Sequence, residues 1–197
     1  PVIPLWFYVG GTTTLKVRGF RAGWAPSATA TATYILEVVP PIPSVPGGIY
    51  QVGQTVWLSP ASQFDLIRYT TDGSPVTENS SQFVTNPIVL DGPTLLRARS
   101  YRWGYTPSPE LLVSYVTQVA TPTMSPGGGQ YQTLPLVGLT TVTAGATIRY
   151  TLDRTDPTEN SPVYVGHIAT QNFMSIRARA YKAGWAPSEV AEATYWN

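Results

Sequence analysis

Two stretches of this chain gather oxygen donors at short spacing. Ile148 to Ser161 reads IRYTLDRTDPTENS, and Ile67 to Ser80 reads IRYTTDGSPVTENS. In the first, Asp153, Asp156 and Glu159 put three carboxylates within one loop, the hard-ligand type that calcium takes. In the second, the matching positions are Asp72, Ser74-Pro75 and Glu78, so one carboxylate of the three is missing. Neither stretch has the spacing or the central glycine of an EF-hand loop. The competing reading is mechanical: Asp opens a turn by accepting backbone N–H bonds, while Pro and Gly supply its dihedrals. The second reading is adopted here, and no metal ligand is assigned.

Other chemistries find less support. Glycoside hydrolysis needs two acids facing each other across a cleft at about 5 to 10 Å. The 11 acidic residues fall mostly in turns, and a small sandwich offers no deep cleft. His167 is the single histidine and has no counterpart in the other repeat, so a Ser-His-Asp arrangement rests on nothing visible. Cysteine is absent, which removes disulfides, zinc-thiolate sites and thiol nucleophiles together. No phosphate-binding glycine motif occurs. Gly47-Gly48 and Gly127 to Gly129 follow prolines, precede strands and read as turns. No catalytic residue and no cofactor are expected, and the chain is read as a non-enzyme.

Two sets of side chains suit contacts rather than reactions. Arg97 and Arg99, Arg177 and Arg179, and Lys16 and Arg18 each set two cations on one strand face, flanked by Tyr101, Tyr181 and Phe20. Such faces either hold an acidic polysaccharide or a neighbouring subunit, or are solvated, pair with local acids and guard a sheet edge. The second set is Trp24, Tyr105 and Trp185 in the GWAPS-type loops, with Trp103 added in the middle copy. These rings either stack on sugars or fold onto the end of their own sandwich or onto the next unit, and packing is the favoured role.

These residues recur because the chain repeats. Arg68-Tyr69-Thr70 matches Arg149-Tyr150-Thr151, and Arg97-Ala98-Arg99 matches Arg177-Ala178-Arg179, at an offset of about 80 residues. LKVRGFRAGWAPSATATATY, ending at Tyr34, aligns with the segments ending at Tyr115 and Tyr195. Residues 1–34 therefore read as the rear half of a unit, 35–116 as a full unit and 117–197 as another. Pro/Gly-rich stretches mark the junctions.

Within each unit the apolar period is two. Leu96, Ala98 and Ser100 face one way; Ile176, Ala178 and Ala180 repeat the rule, as do Leu15, Val17 and Gly19. QTVWLS, LIRYTT, NPIVL and ELLVSYV are further strand candidates, with turn signals between them. The pattern predicts an all-β fold of tandem immunoglobulin-like sandwiches.

Composition agrees. Hydrophobic residues make up 43% of 197, enough for a core, whereas charged residues are only 12%, about half the usual share. A net charge of +1 without a basic run argues against nucleic acid, and no apolar stretch is long enough for a membrane helix. The opening PVIPLWFYVGG lacks a charged start and a cleavage site, so no signal peptide is visible.

The signature carried by Ile67 to Gly73, Thr77 to Ser80, Leu96 to Tyr101 and Gly104 to Tyr115 resembles the chitobiase/β-hexosaminidase C-terminal-type repeat, also described as fibronectin-type-III-associated. Its second copy lies in Ile148 to Ser161, Ile176 to Tyr181 and Gly184 to Tyr195. The sequence departs from the usual DGSDPT at Pro75-Val76 and Arg154-Thr155. The resemblance implies an immunoglobulin-like accessory or structural domain of bacterial secreted and surface proteins.

Two functions follow as expectations. One is a non-catalytic extracellular or cell-surface module: a stalk, adhesin, surface-layer or fibre component. The other is a carbohydrate-binding accessory region of a secreted glycoside hydrolase. The expected partners are neighbouring repeats or subunits and, on the second reading, polysaccharide. The half unit at 1–34 should be completed by an upstream segment, or by another molecule through strand addition.

Overall fold

A computed structural model describes residues 6–197 of the chain, and it is built of strands alone. In chain order these are β1 (Thr13–Val17), β2 (Ala30–Tyr34), β3 (Ile42–Pro43), β4 (Gly48–Gln51), β5 (Gln54–Val56) and β6 (Leu58–Ser59). Next come β7 (Leu66–Thr70), β8 (Ser81–Phe83), β9 (Ile88–Leu90), β10 (Thr94–Tyr101), β11 (Leu111–Gln118) and β12 (Thr123–Ser125). The last are β13 (Gly129–Gln130), β14 (Leu136–Thr140), β15 (Thr147–Thr151), β16 (Ile168–Ala169), β17 (Met174–Tyr181) and β18 (Ala191–Trp196). The first five residues of the expected half copy lie outside the described residues.

Two compact units form. Of the described residues, the first comprises 6–46, Val56–Ile88 and Leu95–Val113, and the second Gly47–Thr55, Val89–Thr94 and Ser114–Asn197. In the first, β1 and β2 form an antiparallel hairpin, β3 pairs β6, and β7 lies antiparallel between β8 and β10. Cross-strand register on β7 and β10 sets Arg99 opposite Arg68 and Ala98 opposite Tyr69.

The second unit holds a complete sandwich. One sheet runs β12-β14-β16 and the other β13-β18-β17-β15. Val137, Leu139 and Ile168 from the first meet Ile148, Ile176, Ala178, Ala180 and Tyr195 from the second in one buried cluster. Period-two alternation explains this: on β17 the even positions Ile176, Ala178 and Ala180 have no exposed surface, while the arginines between them are half-buried on the other face. Truncating Ile176 to Ala would cost about 2–5 kcal/mol through lost transfer energy and cavity.

The glycine runs need a correction. Gly48 and Gly129 are not merely turns before strands, because they begin β4 and β13. Those short strands pair in parallel with β11 and β18, Gly48 opposite Tyr115 and Gly129 opposite Tyr195. A Cβ on Gly128 would stand 2.8 Å from the carbonyl oxygen of Thr194, so only glycine lets the chain enter that pairing.

Candidate functional site

The acid-rich stretches resolve into backbone geometry. Asp153 Oδ1 accepts the N–H of Thr155 at 3.0 Å and its hydroxyl at 2.6 Å; Asp72 Oδ1 accepts the same pair from Ser74 at 2.9 and 2.6 Å. These hydrogen bonds, the hydroxyl first, hold both carboxyls below their ordinary 3.8. The left-handed turn residue is Gly73 in one copy and Arg154, at φ 68°, in the other. Four residues on, Thr77 and Thr158 donate N–H bonds to the hydroxyls of Ser80 and Ser161, both at 2.9 Å. Asp156 lies 2.7 Å from Arg177, and Glu159 is exposed. Among the described residues no three acidic or histidine side chains come together in a set able to hold a metal ion. His167 immediately precedes β16, its ring beside Gly138.

The GWAPS-type loops are wired alike in all three copies. Gly23, Gly104 and Gly184 adopt φ of 78°, 77° and 79°, a left-handed conformation that closes a tight turn. Across it the amides of Trp24, Tyr105 and Trp185 bond to the carbonyls of Arg21, Arg102 and Lys182. The same cations lie over those rings at 5.0, 4.8 and 4.2 Å. Trp24 is exposed, whereas Tyr105 and Trp185 are half-buried; Trp103, inside the turn between Arg102 and Gly104, is 98% exposed.

The serine that ends each loop is a residue the sequence reading passed over. Ser27, Ser108 and Ser188 accept the amides of Gly19, Ser100 and Ala180 on their hydroxyls, each at 2.9 Å, and return their own amides to the same residues' carbonyls. The signal was available, since a serine recurs after proline in every copy, but its partner lies eight residues back on a strand.

The alanine or threonine of each complete loop also grips the chain that leads into its repeat. Thr106 bonds through its N–H to Leu36 O at 2.8 Å and through its carbonyl to Val38 N at 3.0 Å. Ala186 does the same with Thr117 and Val119, both at 3.0 Å. In the second unit Gln118 adds a side-chain clamp, accepting from Gln51 at 2.6 Å and donating to Pro187 O and Glu189 Oε1 at 3.1 and 3.0 Å.

The arginine faces divide into members that meet an acid and members set opposite another arginine. Arg97 reaches Glu110 at 3.0 Å, and Glu110 also accepts the amide of buried Val76 at 2.9 Å. Arg177 reaches Asp156 and, at 3.6 Å, Glu192. Arg99 and Arg179 instead lie opposite Arg68 and Arg149; the Nε atoms of Arg97, Arg99, Arg177 and Arg179 alike are buried and without a hydrogen-bond partner. In the half copy Arg18 donates to Ser27 O at 2.6 Å.

Two grooves border these residues. In the first unit about 570 Å³ opens among Phe64, Tyr101, Trp103, Tyr105, Arg68 and Asn79. Asp65, whose side chain has no exposed surface, fixes Arg102 there at 2.6 Å and raises its pKa through that hydrogen bond. In the second unit about 380 Å³ lies among Val52, Asp91, Gln118, Thr143, Lys182 and Trp185. Of the predicted contact residues, the first groove gathers Trp103 and Tyr105, the second takes Trp185, and Trp24 lines neither.

The family model for the chitobiase/beta-hexosaminidase C-terminal domain matches residues 45–110 and again 126–192. No curated protein matches the sequence. Among solved structures, domains 7, 8 and 9 of the S-layer protein SbsC align at 12% identity and a TM-score of 0.29, over 96% of this chain and 70% of that one. Fibronectin(III)-like modules of Clostridium thermocellum CbhA align at 14% and 0.28, over 78% and 90%. TM-scores this low fix neither kinship nor role. The family match spans well over half the chain, so the protein belongs to the chitobiase/β-hexosaminidase C-terminal domain family.

Proposed function

We propose that this member of the chitobiase/β-hexosaminidase C-terminal domain family is a non-catalytic structural and interaction module, working outside the cell or on its surface as part of a stalk, adhesin, surface layer or fibre. Its working units are taken as 35–116 and 117–197, with 1–34 supplying a rear half. One observation carries the reading: the recurrent polar motifs are consumed in holding backbone. The aspartates bend turns, the serines latch loops to strands, and Thr106 and Ala186 bind the chain entering their repeats. A linker hydrogen-bonded on both sides of one residue has lost the freedom of a flexible tether, which suits a spacer.

A second reading is favoured by one feature, the groove where Trp103 and Phe64 stand exposed beside Asn79 and Arg68. Planar rings flanked by hydrogen-bonding groups suit a sugar face, as in a carbohydrate-binding accessory region of a secreted glycoside hydrolase. A pull-down on cellulose, chitin and an acidic glycan separates the two. The structural reading expects the chain to pass through all three. Retention abolished by Trp103→Ala, or by Trp24→Ala with Trp185→Ala, would replace it with the second.

A further inference from the structure

The β1–β2 hairpin has the same internal register as β17–β18. Leu15 faces Ala32, Lys16 faces Thr31 and Val17 faces Ala30, just as Ile176 faces Ala193, Arg177 faces Glu192 and Ala178 faces Ala191. Its loop latch is the same too, Ser27 on Gly19 as Ser188 on Ala180. The surroundings differ. Ala178 and Tyr195 have no exposed surface, and Ala98 and Tyr115 are as deeply covered, yet Val17 is 54% and Tyr34 44% exposed. Among the described residues β1 and β2 pair only with each other, whereas β17 also pairs β15, and β18 also pairs β13. An apolar sheet face with two open edges is a docking surface.

The complete repeat states what covers such a surface. In the second unit the cover is residues 119–173. Strand β15 lies antiparallel along β17 with Arg149 opposite Arg179 and Thr151 opposite Arg177, and β14 and β16 pack over the apolar face. We infer that the hairpin accepts the front half of a repeat of this same type. The incoming Ile-Arg-Tyr-Thr strand lies along β1 with its arginine opposite Arg18, its tyrosine opposite Val17 and its threonine opposite Lys16. A Gly-Ile or Gly-Gln strand, the counterpart of β4 or β13, lies parallel to β2. A second copy of this chain is not the occupant, because both of its own strands of this type are taken, β7 by β8 and β10 and β15 by β17. The inference is independent of whether the assembly serves as a spacer or holds sugar.

The test extends the full chain upstream of Pro1 with a second copy of its own residues 117–161. The seam is natural, because the offset that lays β1–β2 on β17–β18 also lays Pro1-Val2 on Pro162-Val163. Amide exchange of residues 13–34 should slow by more than about a hundredfold relative to the unextended chain, as edge strands become interior ones. Ile148→Asp placed only in the grafted copy should abolish that slowing, while the native residues 117–197 keep their protection as an internal reference. Exchange of the hairpin left unchanged while that reference is intact overturns the inference, whether or not the graft itself is ordered. Concentration-dependent dimerisation of the unextended chain with protection of the hairpin overturns it also, by making a second copy the occupant.

Discussion

Replacing Ser188 by alanine isolates the loop latch. The Ser188 hydroxyl accepts the amide of Ala180 at 2.9 Å and donates to Glu189 O at 2.7 Å, and both Ser188 and Ala180 are almost wholly out of water. Alanine keeps the chain's shape but leaves the Ala180 N–H without an acceptor in a place water does not reach. Stranding a buried donor costs about 1–3 kcal/mol, more than the net worth of the bond itself. Ser27→Ala removes the same bond from Gly19, also at 2.9 Å, but both residues are exposed, so water replaces the lost acceptor and the cost should stay under about 0.5 kcal/mol. Urea denaturation of the full chain, with amide exchange of Ala180 and Gly19 to locate the effect, measures both. Equal costs at the two sites, or a Ser188→Ala cost below about 0.5 kcal/mol, would refute the argument from burial.

Further outcomes follow from the turns and ion pairs. Arg154→Gly should raise stability by about 0.5–1 kcal/mol in thermal unfolding, since it relieves a left-handed arginine at φ 68° whose counterpart is Gly73. Gly73→Ala should do the reverse, because a Cβ there meets Leu95 Cδ2 at 2.7 Å. Glu110→Ala strips a partner from both Arg97 and the Val76 amide and should cost about 1–2 kcal/mol, whereas Arg97→Met, which leaves Glu110 its amide donor, should cost less. Asp72 and Asp153 have folded pKa values depressed below 3.8, so their contribution is present above that value and is lost as pH falls through the lower folded one. The urea midpoint should therefore drop on acidification below about pH 4, and by less in the Asp72→Asn/Asp153→Asn chain.

Strand identity was legible wherever alternation ran long enough. Leu96, Ala98 and Ser100, and Ile176, Ala178 and Ala180, read as inward from the sequence and are fully buried. The identical rule applied to Leu15, Val17 and Gly19 names the same face, yet Val17 and Gly19 are exposed and Leu15 only half-buried. Periodicity reports a face, not what covers it. The two-residue strands β3, β6, β13 and β16 carry no period at all and exist because neighbours pair with them. At the contact residues, Arg97 and Arg177 were visible as strand cations, but Glu110, Asp65 and Gln118 were not singled out. Glu110 and Asp65 meet their arginines 13 and 37 residues away, a separation that only the fold closes.

The parallel pairing of β4 with β11 and of β13 with β18 has a mechanical consequence. In each case one strand lies near the start of a repeat and its partner at the end, so tension along the polypeptide pulls the two lengthwise past each other. The hydrogen bonds joining them run across that pull and must yield together under shear, whereas a hairpin opened from its free end would unzip bond by bond. With four residue pairs in register, Gly48 to Gln51 against Tyr115 to Gln118, the β4–β11 contact is a clasp that stretching loads all at once.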